Sequence, residues 1–352
     1  MTDLLLNSKR DPEQEYTIHL FEYCNLSCSF CWQDHDSLVG VDDILGKLPA
    51  VVKLLDKETK SVVVFNIMGG EVFAPEVFTP TMRAAYVKLA QAIVAHARLN
   101  NIRVTLNWVT NLVTDDRTQL SLFIEECATA GIPTTFTTSY DPKGRFNRKQ
   151  FEAFKANLEY FGPRIIRSVC LVATKQNIDH FLRDQDAFFK WVYGAGFKIY
   201  FDYLMPDEVT PAAPGDLDLF KLFTFLIDNY PNCEPIAGWM ERKSSSLSCR
   251  SSKLILEDGT TCGCGNLIDP KIAEEIYEVP IDPQSNRGIE EHFMEKYGCL
   301  TCEYFQRCEL GCFMQHAYRH RDEMDECVYK ATHRYIDAVS DGAAQRIPTL
   351  NV

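Results

Sequence analysis

Cys24, Cys28 and Cys31 stand in the run Cys-Asn-Leu-Ser-Cys-Ser-Phe-Cys, a C-x3-C-x2-C spacing near the start of the chain. Most protein-bound [4Fe–4S] clusters take four cysteines. Three thiolates on one short loop leave one iron of such a cluster without a protein ligand, and an open iron binds a substrate or cofactor. A second constellation lies late in the chain: Cys249-x9-Gly259-x4-Cys264, then Cys299-x2-Cys302-x5-Cys308-x3-Cys312, then Cys327. C-x2-C pairs occur in zinc sites and in ferredoxin-type runs alike. On spacing, Cys299, Cys302, Cys308 and Cys327 therefore also suit a four-thiolate zinc site. Cys127 and Cys170 lie in apolar helix-like and strand-like stretches and read as buried structural thiols.

The elements that must position these thiols are legible as alternating runs. Tyr16–Tyr23, Ser61–Met68, Arg103–Thr110, Pro133–Tyr140, Ile165–Thr174 and Lys198–Met205 are rich in Val, Ile, Thr, Phe or Tyr, as strands are. Between them Val41–Lys57, Thr81–Asn100, Arg117–Ala130, Lys149–Phe161 and Asn177–Gly194 put apolar residues on one helical face. Asp115 and Asn147 suit N-caps, and Gly131 and Gly162 suit C′ stops. Six strand–helix units in series predict a parallel sheet with right-handed crossovers, whose strand C-termini hold the chemistry. The first cysteine directly follows the first strand. Leu217–Tyr230 reads as a further helix, and Ser252–Glu257 as a strand. Asp258-Gly259 is a hairpin signal that would bring Cys249 and Cys264 together.

Bulk properties limit the partners. The 352 residues carry a net charge of −13, which argues against a nucleic-acid backbone as principal partner. No run of 18 apolar residues occurs, and the N-terminus is too short in apolar residues for a secretory signal. A cytoplasmic protein, with no membrane partner, is expected. Fourteen cysteines in a reducing compartment point to metal or catalysis rather than a disulfide framework.

The first cysteine run resembles the signature of the radical S-adenosylmethionine (SAM) enzymes, including the aromatic Phe30 before the third cysteine. The second resembles the seven-cysteine SPASM extension found in that superfamily. Met68-Gly69-Gly70-Glu71, one unit downstream, resembles the family's Gly-Gly-Glu turn. Thr138-Ser139-Tyr140-Asp141 resembles its Ser-x-Asp-Gly stretch, although here Pro142 and Lys143 displace the glycine to Gly144. The resemblance implies an α/β fold: a partial (βα)6 TIM-like barrel with a small cysteine-rich C-terminal cluster-binding domain. The implied division is a barrel core at 1–206, a linking helix region at 207–240 and an auxiliary iron–sulfur domain with a C-terminal helix at 241–352. It further implies SAM and three [4Fe–4S] clusters. Cys24, Cys28 and Cys31 would bind the first. Cys249, Cys264 and Cys312 would bind one auxiliary cluster, left open or closed by Cys262 or Cys233, since Lys243 stands where some members place a fourth cysteine. Cys299, Cys302, Cys308 and Cys327 would bind the other. SAM contacts would fall on Phe30, Gly69, Gly70, Glu71, Asn111, Ser139 and Leu204.

The reaction this resemblance implies is cleavage of SAM to a 5′-deoxyadenosyl radical and hydrogen abstraction from substrate. The leading expectation is oxidation or crosslinking of a ribosomally made peptide, served by a flavodoxin- or ferredoxin-type reductant. Only about 15 residues precede the first strand, less than a leader-binding domain needs, so a separate leader-binding protein is the expected partner. The alternatives are protein modification of the sulfatase-maturase kind, a sugar or nucleotide dehydrogenase, epimerase or isomerase, and a zinc-stabilised scaffold. Against the sulfatase-maturase kind, Gly265 follows Cys264 where that family has an aspartate. Tyr140, Asp141, Asp202 and Tyr203, at strand ends, are the candidate catalytic residues.

Overall fold

The computed structural model describes residues 14–31, 33, 35, 39–183, 186–204, 212–241, 252–256, 260–263, 274, 280, 282, 287–305, 307–308 and 324–341. The six apolar runs form parallel strands β1 (Gln14–His19), β2 (Val62–Met68), β3 (Arg103–Val109), β4 (Thr134–Ser139), β5 (Ile166–Ala173) and β6 (Lys198–Tyr203). They lie in order within one sheet, β6-β5-β4-β3-β2-β1, continued by β7 (Ser252–Ile255) and β8 (Thr261–Cys262). The sheet is open, a partial barrel rather than a closed one, with helices on its outer face.

Alternation assigns the two faces. Val63, Phe65 and Ile67 of β2 and Val104, Leu106 and Trp108 of β3 are buried under the helices. Trp108 packs on Tyr86 of α3 (Pro80–Leu99) and on Phe123 of α4 (Thr118–Thr129), with ring centroids 5.2 and 5.0 Å apart. The opposite, inner face carries a polar ladder. Asn66 donates to Glu15 at 3.4 Å, Asn107 to Asn66 at 2.9 Å, and the Thr135 and Thr137 hydroxyls to Asn107 Oδ1 at 3.2 and 3.0 Å. Hydrogen bonding satisfies these half-buried groups across four strands.

Several predicted elements divide. The segment 41–57 forms α1 (Val41–Gly46) and α2 (Leu48–Leu55), with a proline in the first turn of the second. Asn147 caps α5 (Arg148–Ile165) in a box with Gln150. Gly162 turns to φ +62 inside that helix and kinks it. The expected single helix over 177–194 is two, α6 (Lys175–Arg183) and α7 (Ala187–Gly194), because Asp186 accepts from the Phe189 amide and starts a new helix. Asp115 does not cap α4; Asp116 accepts from the Thr118 amide instead, and Asp115 is exposed beside Lys149.

The C-terminal third leans on the barrel at two places. β7 and β8 pair antiparallel, Leu254 opposite Cys262, and β7 pairs parallel with β1, Glu15 opposite Ser252 and Ile18 opposite Ile255; the Asp258-Gly259 signal lies outside the described residues. α8 (Asp216–Asn229) and α9 (Ile236–Met240) receive α11 (Val328–Ser340), where Tyr329 meets Phe223 and Trp239. α10 (Arg287–Lys296) precedes the 299–308 cysteines. The far edge is covered too: Glu234 N donates to Ile199 O and Glu234 O accepts from Phe201 N, bridging β6.

Candidate functional site

The chain leaves the sheet at Leu20 and runs alongside the turn that ends β2. Gly70 N donates to Phe21 O at 2.9 Å and Glu71 N to Tyr23 O at 2.7 Å. A Cβ on Gly70 would lie 2.1 Å from Tyr23 O, and one on Gly69 would lie 2.5 Å from Phe21 O. These glycines admit the close approach of the two backbones that carry the cysteine loop and the Gly-Gly-Glu turn. This also explains why β1 stops at His19 rather than at Tyr23: residues 20–23 serve as the rail for the turn.

Four attachments then fix the loop. Asn111, at the end of β3, donates from Nδ2 to Asn25 Oδ1 at 2.8 Å, and Asn25 donates to Val113 O at 2.8 Å. Ser29 N donates to Gly144 O at 2.8 Å, where Gly144 adopts φ +81. Arg145 lies over the Phe30 ring, 5.4 Å from its centroid. Gln33 donates to Gly69 O at 3.4 Å and meets His19 at 3.1 Å. Cys24 and Cys28 are half-buried and Cys31 is exposed. Burial pushes the Cys24 thiol up to about 12, with Glu71 and the other two thiols adding to the shift. Burial also raises Cys28, and the Arg145 guanidinium opposes it.

Glu71 is buried and spends its oxygens on the chain. It accepts from Phe73 N at 2.9 Å, from the Thr110 hydroxyl at 2.8 Å, and from Asn111 N. Burial raises its carboxyl to about 7 against these donors. Glu71 therefore ties the exits of β2 and β3 together.

Asp141 is also spent internally. It accepts from Val172 N at 2.7 Å, Asn177 Nδ2 at 3.0 Å and Arg145 Nε at 2.6 Å. Burial pushes its carboxyl up, opposed by Arg145. Tyr140 is buried among Phe151, Phe154 and Phe188 and donates to Asp186 at 2.7 Å. Both are structural in this geometry. Tyr203 is half-buried near Tyr329, and Leu204 is buried beside it.

The inner face holds the remaining candidates. Ser139 at the end of β4 pairs in register with Cys170 of β5, and Val172 of β5 pairs with Asp202 of β6. Cys170 is half-buried, and Asp202, two residues on from its Tyr200 partner in β6, is exposed. The expectation of a buried structural thiol at 170 is thus corrected, whereas Cys127 is buried as expected. Desolvation by the neighbouring chain raises the Asp202 carboxyl, and the Asp141 charge adds to the shift.

In the C-terminal segment, Cys299, Cys302, Cys308 and Cys327 line one cavity of about 280 Å³ with Tyr304, Phe305 and Tyr329. The four thiols thus face one space, the arrangement either a zinc site or a cluster would need. Cys262 is buried on β8 and Cys233 is buried beyond α8. Cys249, Cys264, Cys312 and Lys243 lie outside the described residues.

Asn25, Gln33 and Arg145 were not singled out from sequence. Arg145 has a signal in retrospect, its i+4 spacing from Asp141; Asn25 and Gln33 have none.

No family model matches the chain, and no curated protein does. Among solved structures it is similar to hexahistidine-tagged anSMEcpe with bound AdoMet, at 15% identity and a TM-score of 0.61, covering 96% of this chain and 99% of that one. Native anSMEcpe with bound AdoMet gives 16% identity, a TM-score of 0.61, and coverage of 95% and 100%. Streptococcus suis SuiB is similar at 13% identity and a TM-score of 0.49, covering 89% of this chain and 76% of that one. The likeness to anSMEcpe is one of fold, and it spans both chains.

Proposed function

We propose that this chain is a radical SAM enzyme that modifies a side chain of a peptide or protein. The observation that carries the reading is the backbone crossing of the cysteine loop with the Gly69–Gly70–Glu71 turn, at the C-terminal ends of β1 and β2. Two motifs that resemble one family lie against each other at the end of the sheet where such folds keep their chemistry. The whole-length fold likeness to a protein with bound AdoMet supports the same reading.

In this reading Cys24, Cys28 and Cys31 hold a [4Fe–4S] cluster with one open iron, and Phe30, Gly69, Gly70, Ser139 and Leu204 surround SAM. When bound, cluster and SAM supply a 5′-deoxyadenosyl radical that abstracts hydrogen from substrate. The chain's own part is positional. Glu71 fixes the rim, Arg145 places cationic charge beside Cys28, and the inner face from Ser139 to Asp202 receives the substrate. Asp202, the exposed carboxylate there, is the residue placed to accept a substrate proton, and an auxiliary cluster, when bound, would take the accompanying electron. Residues 1–206 form the core and 241–352 the auxiliary domain. Cys299, Cys302, Cys308 and Cys327 hold one auxiliary cluster. Cys249, Cys264 and Cys312 hold a second, and Cys262 is the candidate to close it. The partner this chemistry requires is a one-electron reductant of the flavodoxin or ferredoxin type. The fold likeness to a sulfatase-maturating enzyme supports a protein substrate alongside the peptide reading.

The test is anaerobic iron and sulfide quantification on the reconstituted wild type and a Cys24/Cys28/Cys31→Ala variant, with 5′-deoxyadenosine assayed after SAM and dithionite. About twelve irons falling to about eight, with the nucleoside lost in the variant, is expected from four irons per cluster. Zinc without iron would leave a metal scaffold instead.

A further inference from the structure

The amide of Asn111 can be assigned end for end, because backbone groups fix it. Val113 N must donate, and it donates to Asn111 Oδ1 at 2.9 Å. Val113 O must accept, and it accepts from Asn25 Nδ2 at 2.8 Å. The Asn25 oxygen therefore faces Asn111, and the Asn111 nitrogen is the end turned toward it. That nitrogen has two hydrogens. One goes to Asn25 Oδ1 at 2.8 Å, and the other reaches Cys24 Sγ at 3.8 Å. Asn111 is buried, so both hydrogens are spent on the protein.

The surroundings hold this arrangement firmly. Asn111 N donates to Glu71, and the next residue, Leu112, is buried at φ +56. A left-handed, non-glycine residue is strained and persists only where neighbours over-determine it. Here the Thr110 hydroxyl accepts from Leu112 N at 3.1 Å, and Asn157 donates to Leu112 O at 2.7 Å. The strained turn aims the Asn111 amide at one thiol. Leu26 N, at 3.4 Å, is a second donor to the same sulfur.

We propose that Asn111 is a positioning residue whose N–H···S hydrogen bond to Cys24 sets the reduction potential of the first cluster, rather than a contact of SAM. The inference rests on the reading of Cys24, Cys28 and Cys31 as cluster ligands. Hydrogen bonds to cluster sulfur favour the more negative, reduced state. Losing one makes reduction harder.

The experiment is a redox titration of the reconstituted full chain, followed by the EPR signal that changes on SAM addition, for wild type, Asn111→Leu and Asn111→Gln. Asn111→Leu is expected to keep its iron and sulfide but to shift the reduction equilibrium about tenfold toward the oxidised state, about 59 mV downward for one electron. Asn111→Gln, which keeps an N–H donor, is expected to recover part of the shift. Should Asn111→Leu fail to assemble, pulsed EPR of wild type without SAM, labelled with 15N only at the asparagine side-chain amide, replaces it. A hyperfine coupling to asparagine nitrogen is then expected. Unchanged potential with weakened SAM binding in Asn111→Leu, or no asparagine coupling, overturns the inference while leaving the cluster reading intact. A wild type without iron overturns both.

Discussion

At the scale of single residues, two buried carboxylates make opposite demands. Glu71 has only neutral donors in hydrogen-bond contact, and burial raises it from 4.5 to about 7. The folded chain therefore holds a proton on Glu71 between about pH 4.5 and about pH 7 that the unfolded chain has released. Its contribution to stability is fully present at the acid end and falls as pH rises through that window, by at most about 1.4 kcal/mol per pH unit. Glu71→Gln should remove this slope. The melting temperature of the variant should gain on wild type between about pH 5 and about pH 7; a constant offset would mean Glu71 does not titrate there. Asp141 instead has a cation, Arg145, at 2.6 Å, with both side chains largely out of water. Arg145→Met should cost about 3–5 kcal/mol by leaving a buried charge unpaired. Adding Asp141→Asn should recover much of it, as chemical denaturation of the three proteins would read.

At the scale of elements, the strands were legible because each is a short β-branched run bounded by turn residues. Their ends were less so. Nothing in Leu20–Tyr23 announces that these residues leave the sheet to flank Gly69 and Gly70; that depends on a backbone some fifty residues away. Gly70→Ala tests the crossing. With Tyr23 O 2.1 Å from the new Cβ, the variant should melt at a lower temperature and, on the proposed function, lose about four irons per chain. Helix breaks escaped the periodicity for a related reason. Asp186 continues the amphipathic pattern between α6 and α7, yet its carboxylate binds the Phe189 amide, and local capping wins over helix continuation. Asn147 carried its own signal, Gln150 three residues on. Asn147→Ala should cost about 1 kcal/mol, visible as a drop in melting temperature without loss of iron.

At the scale of the whole molecule, the cysteines were the most legible feature and their supports the least. The late spacing was enough to single out Cys299, Cys302, Cys308 and Cys327, and these four share a cavity. The amide pair at Asn25 and Asn111 lies far apart in sequence and shows only once β3 stands beside β1's exit. Replacing the four late cysteines by serine should remove about four irons per chain and no zinc, as metal analysis would show. Retained iron would mean the cavity holds something else.

The pairing of β7 with β1 also bears on how the chain is made. β1 gains its β2 neighbour early in synthesis, but its other edge waits for Ser252–Ile255. Until the ribosome reaches that hairpin, the first strand presents unpaired backbone to solvent, a template for other chains. A nascent or truncated chain ending before residue 252 should associate through that edge. The hairpin thus covers the β1 edge late, with sequence written more than two hundred residues after the strand it protects.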